Sequence, residues 1–190
     1  IFLFFATASF WAWFEYQDKP LTKWIIAIGL FSGFAILTKW LIGLLVFAGW
    51  GLNILLSKNS RFNINSYLQI LKAFLITIVV FVPWQIYTFI QFPNETKYEF
   101  QYNSRHFSEA IEDHGGDWTF HFKSLNILYG EGDLVPWIIL LGFICLFVLV
   151  KNKQHKIFIF GTVILTYFFY TMAQTKMESF GLVVSSFVYT

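Results

Sequence analysis

Charge is scarce in this 190-residue chain: 13% of residues are Asp, Glu, Lys or Arg, and 57% are apolar. A soluble domain carries about 25% charged residues, so this chain lacks the polar groups to cover itself in water. Cysteine is nearly absent. Cys145 stands alone in an apolar run, which excludes an internal disulfide and suits an inert helix residue. The chain also has no Gly-rich phosphate loop, no nucleophile elbow, no His-Glu-x-x-His and no basic stripe of the kind that binds nucleic acid. No charged leader or small-residue cleavage site precedes the first apolar run, so that run does not read as a signal peptide. The chain begins at Ile1 without Met and closes inside a further apolar run, and the expectation is an internal piece of a longer protein.

What is present is aromatic and apolar. Phe occurs 25 times and Trp 8 times, as in lipid-facing helices with aromatic belts at the interfaces. Hydropathy predicts membrane spans over about 1–14, 24–38, 40–57, 67–91, 134–150, 157–173 and 180–190, with an outer loop over 92–133. The stretch from Lys23 to Ser57 is too long for a single crossing of a bilayer core of about 30 Å and is read as two short helices meeting near Lys39. Alternation then puts Lys19, Lys23, Lys58, Arg61, Lys151, Lys153 and Lys156 at one set of ends, which marks the cytoplasmic side. The opposite ends hold Lys39, the long loop and Lys176. Eight of the eleven acids lie in that loop or on its border: Glu95, Glu99, Glu109, Glu112, Asp113, Asp117, Glu131 and Asp133. Every backbone polar group in a bilayer must be satisfied internally, so the expected fold is all-α, a polytopic transmembrane bundle. Tyr98, Tyr102, Phe107 and Ile111, at roughly helical spacing among charges, add an amphipathic helix on the outer face.

The outer face is where chemistry is expected. Lys39 lies between two apolar helices, where an ionisable group either serves function or snorkels to the interface. Lys176, in Gln174-Thr175-Lys176-Met177-Glu178, could bind an anion, snorkel or pair with Glu178. Arg105 and His106 could hold a phosphate or meet lipid headgroups. His114 and His121, with Glu112, Asp113 and Asp117 nearby, are candidate ligands for a divalent metal, although their spacing matches no zinc signature. His114-Gly115-Gly116-Asp117-Trp118 combines a tight turn with groups able to contact a substrate. Asn94-Glu95-Thr96 matches the glycosylation sequon, a triplet common by chance. The residues alone point to an anionic, lipid-linked substrate handled above the membrane. A transporter or flippase with a broken-helix site at Lys39 is the alternative, and a partner-binding scaffold a third.

Four elements, in order, carry a resemblance: Gly33-Phe34-Ala35-Ile36-Leu37-Thr38-Lys39 before a second apolar helix; Val82-Pro83-Trp84 ahead of the His114 to Phe120 element; Leu134-Val135-Pro136-Trp137; and Thr171-Met172-Ala173-Gln174-Thr175-Lys176. Together they resemble membrane glycosyltransferases with the GT-C fold, in the branch containing the lipid A aminoarabinose transferases and the protein O-mannosyltransferases. The resemblance implies transfer of a sugar from a polyprenyl-phosphate carrier to a lipid, glycan or protein acceptor, on the non-cytoplasmic face of what would be a bacterial inner membrane. It implies that Lys39, Lys176 and Arg105 serve the donor phosphate, that His114 lies near a divalent metal, and that Asp113, Asp117, Trp118 and His121 belong to the substrate loop. The family's acidic residues, one of them the general base, would lie in outer loops absent from this chain, so no catalytic residue is assigned within it. Met177 and Glu178 depart from the family pattern after Lys176, and Asp117-Trp118 departs from its paired aromatics.

Overall fold

The computed structural model describes residues 1–188. It is helical throughout, with no strand among the described residues. In chain order the helices are α1 (Phe2–Asp18), α2 (Thr22–Lys39), α3 (Leu45–Leu56), α4 (Ile64–Gln91), α5 (Pro93–Ser108), α6 (Phe120–Lys123), α7 (Leu125–Tyr129), α8 (Val135–Leu149) and α9 (Lys153–Met172), with 3-10 segments at Trp40–Leu44, Ile111–Asp113 and Glu178–Phe187. Among the described residues, three stretches are long and apolar enough to cross a membrane, Thr22–Leu56, Ile64–Gln91 and Lys153–Met172; Val135–Leu149 is a shorter apolar helix. The protein is an integral membrane protein. Its contacts divide it into two compact units, Ile1–Gln85 with Val150–Thr162, and Ile86–Leu149 with Val163–Thr190.

In the first unit, side-chain pairings fix the direction of each helix. Trp11 meets Trp24 at 5.1 Å and Phe5 meets Phe34 at 5.2 Å between ring centroids, so α1 and α2 are antiparallel. Gly29 lies against Ala73 and Ile76, and Gly33 against Thr77 and Val80, so α2 and α4 are parallel. Two parallel helices in succession require the chain to come back between them. That return is α3. Gly49 backs onto Phe158 and Thr162, while the Asn53 amide donates to the Gln154 carbonyl at 2.8 Å, so α3 runs antiparallel to the first half of α9. α1 is also antiparallel to that half, through Trp13 stacked on Phe158 at 3.8 Å and Phe14 against His155 at 5.0 Å. α3 therefore runs with α1 and against α2. The chain reverses between α2 and α3, just past Lys39.

The second unit holds the outer segment and the end of α9. α5 doubles back on the end of α4: Thr96 Oγ1 donates to the Thr88 carbonyl at 3.1 Å and Phe89 meets Phe100 at 5.4 Å. Pro93 opens α5 at a position where its missing N–H is harmless. Tyr98, Tyr102 and His106 share one face, the tyrosines stacked at 6.0 Å and His106 edge-on to Tyr102 at 5.1 Å. The amphipathic helix ends at Ser108, and Ile111 falls in a separate 3-10 turn.

Helices outlast their apolar cores. α1 continues through Glu15, Tyr16, Gln17 and Asp18, α9 starts at Lys153, and α4 passes Pro83 to reach Gln91. The stretch expected to start a span at 180 is a 3-10 segment, Glu178–Phe187, over its described part; residues 189 and 190 of that expected span lie outside the described residues.

Candidate functional site

Lys39 ends α2. Beyond it the backbone departs sharply from helix: Lys39 has φ −149° and ψ 39°, and Trp40 has φ 54° and ψ −151°. A positive φ on a tryptophan is a strained choice, of the kind that clusters at functional sites. The reversal is held by a close approach that only glycine permits. A Cβ on Gly43 would lie 2.5 Å from the Ile36 nitrogen, and the Gly43 carbonyl accepts the buried Ser32 hydroxyl at 2.6 Å. The Lys39 ammonium, on a half-buried residue, sits 5.9 Å from the centroid of the Phe2 ring. The cation thus stands at the end of α2, beside the start of α1.

In the second unit, the segment after α9 pairs with the outer loop through its main chain. The Gln174 N–H donates to the Phe107 carbonyl at 3.1 Å, Thr175 to His106 at 3.0 Å and Lys176 to His114 at 2.6 Å. Thr175, fully buried, adds its hydroxyl: Oγ1 donates to the Glu109 carbonyl at 2.7 Å and accepts the Ile111 N–H at 3.1 Å. The Lys176 side chain turns back on α9, donating to the carbonyls of Tyr170 at 3.2 Å, Thr171 at 2.5 Å and Ala173 at 2.6 Å. An ammonium has three protons, and three carbonyls take them. These are the carbonyls a helix leaves without partners at its C-terminus, where the dipole favours a cation. Burial lowers the Lys176 pKa from its ordinary value.

His121 reaches the same place from α6. Its Nε2 lies 3.2 Å from the Tyr170 carbonyl, so it carries the proton there and donates. The ring is buried, and burial, with the Lys176 charge nearby, pushes its pKa down despite that bond. Gly116 clears the lysine stem: a Cβ there would lie 3.2 Å from Lys176 Cγ and 2.7 Å from Phe120 Cδ2.

The other candidates are dispersed over the exposed outer loop. Arg105 is paired with Glu109 at 2.8 Å, one turn on, and that carboxylate raises its pKa. Asp117 caps the turn into α6 through the N–H and hydroxyl of Thr119 and pairs with Lys123 at 2.9 Å, which lowers its pKa. Trp118 is 81% exposed. Asp113, with φ 59°, follows Glu112, with φ 55°, and Glu112 accepts the Tyr102 hydroxyl at 2.7 Å. His114 is exposed, and its carbonyl is held by Lys176. Among the described residues no three His, Cys, Asp or Glu side chains come together as metal ligands, so these donors do not by themselves fit a divalent ion. Thr175 and the Tyr170 carbonyl are the parts that sequence reasoning missed. A Thr-Lys pair directly after an apolar helix was their one visible signal.

Comparison with known proteins agrees with this architecture. The crystal structure of ArnT from Cupriavidus metallidurans bound to undecaprenyl phosphate superposes with a TM-score of 0.64 at 14% identity, over 98% of this chain and 33% of that one. The likeness is one of fold, the helical membrane fold of GT-C type, and the chain spans about a third of the length of that protein. No curated protein matches the chain. The profile of one family covers residues 1–99, taking in α1 to α4, the Lys39 reversal and the start of α5. The chain belongs to the dolichyl-phosphate-mannose-protein mannosyltransferase family.

Proposed function

We propose that this chain forms part of an integral membrane glycosyltransferase that takes a sugar from a polyprenyl-phosphate carrier and passes it to a lipid, glycan or protein acceptor. The proposal places the reaction on the non-cytoplasmic face, the periplasmic one if the membrane is a bacterial inner membrane. The observation that carries the reading is Lys39, a cation held at a strained helix reversal inside the stretch that matches the family. In the reaction an acceptor atom attacks the anomeric carbon, the bond from that carbon to the phosphate oxygen breaks, and the carrier leaves as polyprenyl phosphate. Negative charge builds on the departing phosphate, and a preorganised ammonium stabilises it. The acceptor proton goes to a general base, a role not proposed for Asp117, which is engaged by Thr119 and Lys123. Arg105 can help attract the anionic headgroup if Glu109 releases it. A metal at His114 would need donors beyond the side chains of this loop.

The test uses the full-length protein in proteoliposomes with a pool of radiolabelled polyprenyl-phosphate sugars. Wild type should consume one donor, and Lys39→Ala should retain its fold while losing on the order of 100-fold in turnover, the usual effect of removing one charge-stabilising group. The chain break at Lys39 also suits a transporter, whose sites are built from interrupted helices. If all donors stay intact while labelled lipid changes sides of the membrane, the transferase reading is wrong and the transporter reading replaces it.

A further inference from the structure

We infer that Lys176 is a positioning residue that clamps the outer loop to the end of α9, and not a ligand of the donor phosphate. Three observations converge. Its ammonium protons are all taken by the carbonyls of Tyr170, Thr171 and Ala173, with the residue only 5% exposed. Its own N–H, with those of Gln174 and Thr175, holds the carbonyls of His114, Phe107 and His106, so the segment carrying the lysine is joined directly to the loop. His121 donates to one of the same carbonyls, that of Tyr170, tying α6 to the same point.

The arrangement couples two things that the sequence keeps more than fifty residues apart. α9 ends in unpartnered carbonyls; Lys176 fills them by folding backwards. In doing so it sets the course of residues 174–176, and their N–H groups in turn set residues 106–114. Gly116 lets the next part of the loop close over the lysine stem. Removing the ammonium leaves buried carbonyls unsatisfied, so the segment moves and the loop moves with it. The geometry also discriminates between cations. Three carbonyls converging on one atom suit a compact ammonium and do not suit a planar guanidinium, whereas a phosphate accepts either.

The experiment uses the full-length protein in lipid nanodiscs, as wild type, Lys176→Met and Lys176→Arg. Hydrogen exchange is followed at the amides of Ile111, Gln174, Thr175 and Lys176 (residue 176 itself in each variant), alongside the affinity for undecaprenyl phosphate. The expected result is exchange faster by about tenfold or more in both variants, with affinity within about threefold of wild type. Donor turnover, which rests on the proposed function, should show a lower kcat at unchanged KM. Unchanged exchange in Lys176→Met overturns the clamp. So does an affinity loss of about tenfold in Lys176→Met that Lys176→Arg restores, since only a phosphate ligand behaves that way. Should Lys176→Met fail to fold, Gly116→Ala retains the ammonium while pressing on its stem; it too should speed exchange at residue 176, and unchanged exchange there overturns the inference. If wild type binds no undecaprenyl phosphate, the proposed function fails, while the exchange arm still decides the clamp.

Discussion

Replacing Gly43 with alanine probes the reversal that holds Lys39 in place. The new Cβ would lie 2.5 Å from the Ile36 nitrogen, 2.8 Å from Ile36 Cγ1 and 2.9 Å from the Ala35 carbonyl carbon. Two of those three atoms are backbone of α2 and cannot swing aside. Ordinary contact is about 3.5–4.0 Å, so the 3-10 segment must retreat by about 1 Å. The Ser32 hydroxyl bond to the Gly43 carbonyl, now 2.6 Å, would then pass out of range. Overpacking of this kind costs about 1–3 kcal/mol and the buried hydrogen bond about 1, so destabilisation of about 2–4 kcal/mol is expected. Gly51, in the middle of α3, is the control, because an added methyl there would meet nothing within 4 Å. Alanine at that position removes only the conformational freedom of glycine and should stabilise by about 0.5–1 kcal/mol. The assay is equilibrium unfolding of the full-length protein in mixed micelles with rising sodium dodecyl sulfate, read by the midpoint. Gly43→Ala should also depress donor turnover, because Lys39 is displaced along with the turn. Equal stability of Gly43→Ala and Gly51→Ala would refute the close approach and with it the account of the reversal.

Two further outcomes follow from buried polar contacts. The His121 pKa is depressed in the folded protein, so the fold disfavours the protonated ring. Its contribution is present above the ordinary histidine value of 6.5 and is lost as pH falls below it. Amide protection around α6, taken relative to the intrinsic exchange rate at each pH, should fall between pH 7.5 and pH 5.5, values about one unit either side of that pKa, and His121→Gln, which can still donate to Tyr170, should remove that dependence; an unchanged pH profile of protection in the variant would refute the assignment. Thr77, fully buried in α4, shares its one hydroxyl proton between the Gly29 carbonyl at 3.0 Å and the Ala73 carbonyl of its own helix at 3.1 Å. Thr77→Val should cost about 0.6 kcal/mol in unfolding, the usual scale for such bonds between membrane helices.

Much of the first unit was legible because a bilayer simplifies the problem. A 35-residue apolar run at Thr22–Leu56 is too long for a core of about 30 Å as one straight helix, its interruption at Thr38 and Lys39 marks the break, and the charge alternation is consistent with it. The side-chain pairings of α1, α2, α3, α4 and α9 give the directions that this break requires. Helix ends were less legible, because polar turns such as Glu15 to Asp18 and Lys153 to Lys156 remain helical after hydropathy has fallen. The outer loop was the least legible part. Its decisive contacts run between backbone groups, such as the Thr175 N–H and the His106 carbonyl, which every residue carries and no composition distinguishes.

The two lysines show where such reading stops. Lys39 and Lys176 look alike in sequence: each follows a threonine, close to the end of an apolar helix. Either could reach outward to an anion or turn back to the helix's own carbonyls, and the choice depends on what packs against the stem. At Lys176 the neighbour is Gly116, whose missing side chain leaves room for the loop to close over a retracted ammonium. At Lys39 the chain turns away through Trp40 with a positive φ, and the ammonium lies above the Phe2 ring. An aromatic face attracts a cation through the field of its ring, whereas three carbonyls enclose it and take its protons. Lys176 is enclosed in that second way, while Lys39 is only half-buried. The lysine at the strained turn is the one proposed to serve the departing phosphate, and the lysine beside Gly116 is the one inferred to hold the outer loop in place.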